Sequence, residues 1–277
     1  MTSAQKTIKY IAMAFAIFLS ISIIGGIFSA LAGLSFIFSD RDGEPVGEMR
    51  VYDVNGAVSS LSVDLSAAKL KIITGDKFSV ESNHKYISVS VNNGILLIDE
   101  TKEPFSVNSE GVTVILTVPE GFVFDDARIE TGAAEVDVDT LSADVLKLNL
   151  GAGKVDIKNL TANSRADIDG GAGELTIEGG LLRNLELDMG MGELNLKSRI
   201  EGKSSLDYGV GETNVTLLGT REDYKIELDK GMGEAKLEGD RMADDSVYGA
   251  GENYIDIDGG VGEINIEFSD EKIQDAA

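Results

Sequence analysis

Six glutamates recur at one position of a short motif. Glu174, Glu193, Glu212, Glu234, Glu252 and Glu263 each follow a Gly-x-Gly triplet. Carboxylate oxygens are hard ligands for cations such as Ca²⁺, so these six, placed in line, could form a divalent-cation ladder. A plainer role fits the same spacing: an outward row kept soluble in water and screened by salt. Like charges set directly opposite one another repel, and Lys154 interrupts the row near its start. Two carboxyls held on one face of a cleft would suit glycoside hydrolysis. The repeats offer little aromatic surface for a sugar, their tyrosines being Tyr208, Tyr224, Tyr248 and Tyr254. His84 is the only histidine. It reads as a surface residue in a turn and cannot by itself build a His-based metal site or a Ser-His-Asp triad. No nucleophile stands beside a base, so no catalytic residue is expected.

The elements that place these glutamates repeat with them. Gly151-Ala152-Gly153 recurs at Gly171, Gly190, Gly209, Gly231, Gly249 and Gly260, after a degenerate first copy, Gly132-Ala133-Ala134-Glu135. The intervals between first glycines are 19, 20, 19, 19, 22, 18 and 11 residues. A period near 20 is a solenoid signature. After each triplet the apolar residues alternate, as in Val155 and Ile157, Leu175 and Ile177, Leu194 and Leu196, or Ile264 and Ile266. Period two makes a strand with one wet face. A polar turn such as Thr161-Ala162-Asn163-Ser164 follows, and a second alternating run, such as Leu185, Leu187 and Met189, leads to the next triplet. One repeat is thus predicted to be two strands and two corners, with glycine where positive φ or a close neighbour demands it. A dinucleotide fingerprint needs a third glycine and a following helix, and both are missing here. Calcium-binding nonapeptide repeats have a shorter period and an Asp that these copies lack.

The chain has no cysteine and no tryptophan, and a formal net charge of −24. Such acidity speaks against nucleic acid as a partner. At the other extreme, Tyr10 to Ser39 carries no charge over 30 residues, more than the roughly 20 that span a bilayer. Lys6 and Lys9 precede it and Asp40, Asp42 and Glu44 follow, so the N-terminus is expected inside and the rest outside. A cleaved signal peptide is the rival, with Ala30-Leu31-Ala32 as its site, but the apolar run exceeds a signal core. Gly25, Ser29 and Gly33 lie four apart on one helix face, a spacing that lets membrane helices pack closely. Small residues are also common in such helices in general.

The organisation expected from these signals is a cytoplasmic start and membrane anchor over 1–39, a linker over 40–48 and an N-terminal β segment over 49–130. The repeats follow over 131–268, and a polar tail over 269–277. The β segment would cap the stack, since solenoid ends need atypical units. Fold class follows: all-β, a right-handed parallel β-solenoid with coils of about 20 residues, preceded by one N-terminal transmembrane helix.

Val58-Ser59-Ser60-Leu61-Ser62-Val63-Asp64-Leu65, then Lys69-Leu70-Lys71-Ile72-Ile73-Thr74-Gly75-Asp76, then Leu116-Thr117-Val118-Pro119-Glu120-Gly121 leading into the repeats, resemble the bacterial toastrack family of adhesin-like cell-envelope domains over residues 50–268. The anchor resembles that of Lia-type envelope-stress proteins. The resemblance implies a β-solenoid outside a bacterial membrane, linked to adhesion or envelope stress, with no catalytic residues; no cofactor is expected beyond a possible Ca²⁺ on the regular glutamate row. Partners are then expected to be the membrane, through the helix, and an envelope protein or wall polymer. A polysaccharide-acting β-helix enzyme and a helix-mediated regulator of a membrane sensor are the rival expectations.

Overall fold

The computed structural model describes residues 47–100 and 112–271. The expected membrane helix with Gly25, Ser29 and Gly33, most of the linker, and residues 272–277 of the tail lie outside the described residues. Among the described residues no helix is long and apolar enough to cross a membrane.

The described chain is all-β apart from one 3₁₀ turn at Arg221–Asp223. Its strands are β1 (Arg50–Tyr52), β2 (Ser60–Leu65), β3 (Lys69–Gly75), β4 (Ser79–Ser82), β5 (Ile87–Asn92), β6 (Ile95–Glu100), β7 (Thr113–Pro119) and β8 (Phe124–Ile177). They continue as β9 (Gly180–Arg183), β10 (Leu185–Glu201), β11 (Lys203–Leu218), β12 (Tyr224–Asp229), β13 (Met232–Leu237), β14 (Asp240–Arg241), β15 (Ser246–Gly249) and β16 (Asn253–Ser269). The longest of these bend through the Gly-x-Gly corners, where pairing lapses at the first glycine and resumes in the same register.

The repeats pair in parallel and in register. Gly192 of β10 lies between Gly173 of β8 and Gly211 of β11, and Gly211 faces Gly262 of β16. Identical pattern positions therefore form columns, one residue per rung at a strand spacing of roughly 4.8 Å. The inward columns are apolar. Ile168, Leu187, Leu206, Ile257 and Leu228 form one, and Ile177, Leu196, Val215, Ile266 and Leu237 another; all ten are buried. Each such side chain contributes about 1.5–3 kcal/mol by leaving water, and none could do so without the rungs on either side. At the corner, Gly211 has φ +141°, and a Cβ there would collide with the carbonyl oxygen of Gly192. The corner geometry and the close approach of the next rung both exclude a side chain.

Three findings depart from the expected repeat. First, the turn contains a third short strand: β9 pairs with Leu160–Ala162 of β8 and with Arg199–Glu201 of β10. Leu160, Ala162, Leu182 and Ile200 are fully buried there, and the stretch expected as a polar turn, Thr161 to Ser164, lies wholly inside a strand.

Second, the last rungs do not stack in chain order. β16 lies between β11 and the β12–β13 pair, and the Gly231 copy occupies the outer position. Third, the N-terminal segment does the same. β2 and β3 pair in parallel with β8 on one side and with β6 and β7 on the other, so an early rung lies inside a later one. Antiparallel strands cover the outermost rungs: β5 on β6 and β4 on β7 at one end, β15 on β12 and β14 on β13 at the other. The strands left at these edges include β1, β14 and β15, all four residues or fewer. Short edges offer little template for unwanted pairing.

Candidate functional site

The strand after each corner turns its polar residues outward in columns. Five of the six predicted glutamates form one: Glu174, Glu193, Glu212, Glu263 and Glu234, in that spatial order. Glu252 is not among them. The copy Gly249-Ala250-Gly251-Glu252 is the turn between β15 and β16, and the Gly251 amide donates to the Tyr224 carbonyl at 3.0 Å. Its 11-residue distance to the next copy is too short for a full rung, and that interval was the signal.

Each glutamate of the column has its own donor. Lys154 Nζ lies 3.0 Å from Glu174 Oε1, Asn195 Nδ2 donates to Glu193 at 2.8 Å, and Asn214 Nδ2 donates to Glu212 at 3.1 Å. Lys236 Nζ lies 2.5 Å from Glu263, and Arg241 Nε lies 2.6 Å from Glu234. The bond from Lys236 holds the Glu263 carboxyl below its ordinary value, and the bond to Glu174 raises the Lys154 ammonium. Exposed pairs of this kind stabilise little, up to about 1 kcal/mol. Among the described residues no group of three or more Asp, Glu, His or Cys is arranged to hold a metal ion.

Beside the glutamates runs a polar ladder. Asn265 Nδ2 donates to Asn214 Oδ1 and Asn214 Nδ2 to Asn195 Oδ1, each at 3.0 Å. Thr176 and Lys236 occupy the flanking positions of this column. Near it, Gly179 and Gly180 leave a groove of about 690 Å³, lined by Asp139, Lys158, Glu178, Lys197 and Glu271. Two of its lysines are already paired, Lys158 with Asp139 at 2.6 Å and Lys197 with Glu271 at 2.5 Å.

The strand before each corner presents an acidic column that the glutamate motif did not reveal. Asp169, Asp188, Asp207, Asp258 and Asp229 stand in register on successive rungs. The signal was present: an Asp lies two residues before the first glycine in each of these five copies. A parallel column holds Asp167, Glu186, Ser205, Asp256 and Glu227. Asp207 stands between Asp188 and Asp258, and its carboxyl is pushed up to about 6, first by partial desolvation in this crowded column and then by these two neighbours. Asp256 is raised by burial and by the charges of Asp258 and Glu227. Lys147 at 3.2 Å from Asp167 and Arg165 at 2.6 Å from Glu186 offset part of the repulsion.

Between the two faces the corner is closed by two adjacent large side chains flanked by glycines. Met189 sits between Gly170 and Tyr208, and Tyr208 between Met189 and Gly259. The Tyr208 hydroxyl donates to the carbonyls of Gly192 and Val210. Burial holds this phenol up at about 12.

His84 differs from its expected place on the surface. Its Nε2 lies 3.1 Å from Glu100 Oε1, with only 15% and 17% of the two side chains exposed. The other oxygen of Glu100 accepts the amides of Ser66 at 2.6 Å and Ala67 at 3.4 Å. The pair is a clasp joining the β2–β3 turn, the end of β6 and the loop after β4.

A family model described as Toastrack DUF4097 matches residues 57–248. No curated protein matches the chain. Among solved structures, a candidate cell-adhesion protein of Clostridium sporogenes is similar at 18% identity, with 80% of this chain and 98% of that chain covered and a TM-score of 0.34. A candidate adhesin of Bacteroides fragilis is similar at 13% identity, covering 79% and 96%, with a TM-score of 0.43. A candidate lipid-binding protein of Parabacteroides distasonis is similar at 14% identity, covering 82% and 98%, with a TM-score of 0.35.

Proposed function

We propose, from the premise that the chain belongs to the Toastrack family, that it is a non-catalytic binding or scaffolding protein of the bacterial cell envelope. In this reading residues 10–39 anchor it in the membrane with the N-terminus inside, and the rungs wind as a right-handed solenoid outside. The observation that carries the reading is the pair of outward faces. Each repeats one residue type over five rungs at fixed spacing, and the glutamates of one are each met by a neighbour of their own. A repeated, rigid array suits a partner with its own repeat or a broad contact, and an envelope protein or wall polymer has that form. The glutamate column serves solubility and rung-to-rung pairing in this reading, with no divalent ion required.

The test uses the full chain in intact cells, with a photo-crosslinking residue at Asp188 on one face or Asn195 on the other. The expected result is capture of an envelope protein or wall fragment from one face only, with residues 41–277 open to protease added outside. Protection of the repeats from that protease would overturn the reading, as would equal and partnerless labelling of both faces.

A further inference from the structure

We propose that β16 is an exchangeable rung, and that the slot between β11 and β12–β13 takes the β16 of a second copy of this chain to form a strand-exchanged dimer. Three observations carry this. β16 is the last rung in the described chain, yet it occupies an inner position with parallel ladders on both sides. The two edges that flank it are equivalent to each other: Asp207, Gly211 and Glu212 on one side match Asp229, Gly233 and Glu234 on the other. Nothing in the register distinguishes a chain's own β16 from that of another copy.

The third observation is the return segment between β13 and β16. β15 pairs with the outer side of β12, and only Ala250, Gly251 and Glu252 separate it from β16 on the inner side. The crossing is pinned by the Gly251 amide on the Tyr224 carbonyl at 3.0 Å and by Asn253 Nδ2 on the Asp223 carbonyl at 3.1 Å. A crossing of only three residues favours exchange over local closure, because in the exchanged dimer it is released while every ladder is kept.

The chain has no cysteine, so introduced thiols report cleanly. Thr216 and Glu267 are register partners on β11 and β16 and face outward. Full-length Thr216→Cys and Glu267→Cys chains with different tags are co-expressed, purified through both tags and treated with a short bis-maleimide. The Thr216→Cys/Glu267→Cys double variant shows that the pair is reactive within one chain. A control pairs Glu267→Cys with Thr176→Cys, which lies three rungs away in β8. The expected result is a doubly tagged crosslinked dimer at least tenfold above the control pair. Deleting Ala250 and Gly251, which blocks the local crossing, is expected to raise it about fivefold further. Interchain product at the control level, with and without the deletion, while the double variant links efficiently, would overturn the proposal.

Discussion

The side-chain amide of Asn265 donates to Asn214 at 3.0 Å across a sequence separation of 51. Between them in sequence lies a whole rung, Tyr224 to Leu237, which sits on the far side of β16. This one bond records the architecture: columns are made by equivalent positions, and the order of rungs is not the order of the chain.

Thr213 marks the weakest position in an inward column. It lies 1% exposed between Leu194 and Ile264, and its hydroxyl has no hydrogen-bond partner. An unsatisfied buried hydroxyl costs about 1–3 kcal/mol, and valine has the same shape. Thr213→Val should therefore stabilise the fold by about 1 kcal/mol or more and raise the melting temperature by about 2–4 °C. Calorimetry would show it, and a lower melting temperature would refute the assignment.

Gly211 is the opposite case. A methyl group at this corner meets the Gly192 carbonyl, and the Tyr208 hydroxyl is close by. Backbone atoms cannot yield as a side-chain end can, and φ +141° is itself adverse for alanine. Gly211→Ala should cost about 3 kcal/mol or more, read as a shift of the denaturant midpoint with unchanged slope.

The aspartate column makes stability depend on pH. Asp207 titrates at about 6 in the folded chain, above its ordinary value of about 3.9 in an unfolded one. Folding therefore favours its protonated form. That contribution is fully present below about pH 4 and is lost as pH rises through about 6. Asp207 is exposed, so solvent screening limits the effect to under about 1 kcal/mol. The melting temperature should rise on going from pH 7 to pH 5. Asp207→Asn should be the more stable form at pH 7 and show a shallower pH dependence, and high salt should shrink the difference. An unaltered pH profile in Asp207→Asn would contradict this.

The glutamate column should behave as surface charge. Glu212→Gln removes one member of a repelling row and keeps an acceptor for Asn214. A change within about 0.5 kcal/mol is expected. Millimolar calcium should leave the melting temperature of residues 41–277 unmoved in both forms, and a calcium-dependent rise lost in Glu212→Gln would restore the cation ladder.

Much of this is legible in the sequence. The period near 20, the alternation after each corner and the glycine at the corner specify parallel rungs, because only in-register stacking buries Leu187, Leu206 and Ile257 together. Rung order was not legible for the same reason. Every rung carries one pattern, so β11 can accept β16 or β12–β13 equally, and only the irregular intervals of 22 and 11 residues hinted that the chain doubles back. The third strand was hidden because Thr161 and Asn163, which face outward, outnumber the small buried Ala162 between them. The aspartate column is harder to see in the sequence because it lies on the other side of the glycines from the more regular glutamates.

The account rests most heavily on β16 lying inside the β12–β13 rung. Glu212→Cys/Glu263→Cys and Glu212→Cys/Glu234→Cys, each made in the single chain and treated with a short bis-maleimide, test it directly. Adjacent rungs are roughly 4.8 Å apart and alternate rungs about twice that. The structure predicts rapid linkage within one chain for Glu212 with Glu263 and slow linkage for Glu212 with Glu234; the reverse order would mean that the rungs stack as the chain runs, and would contradict it.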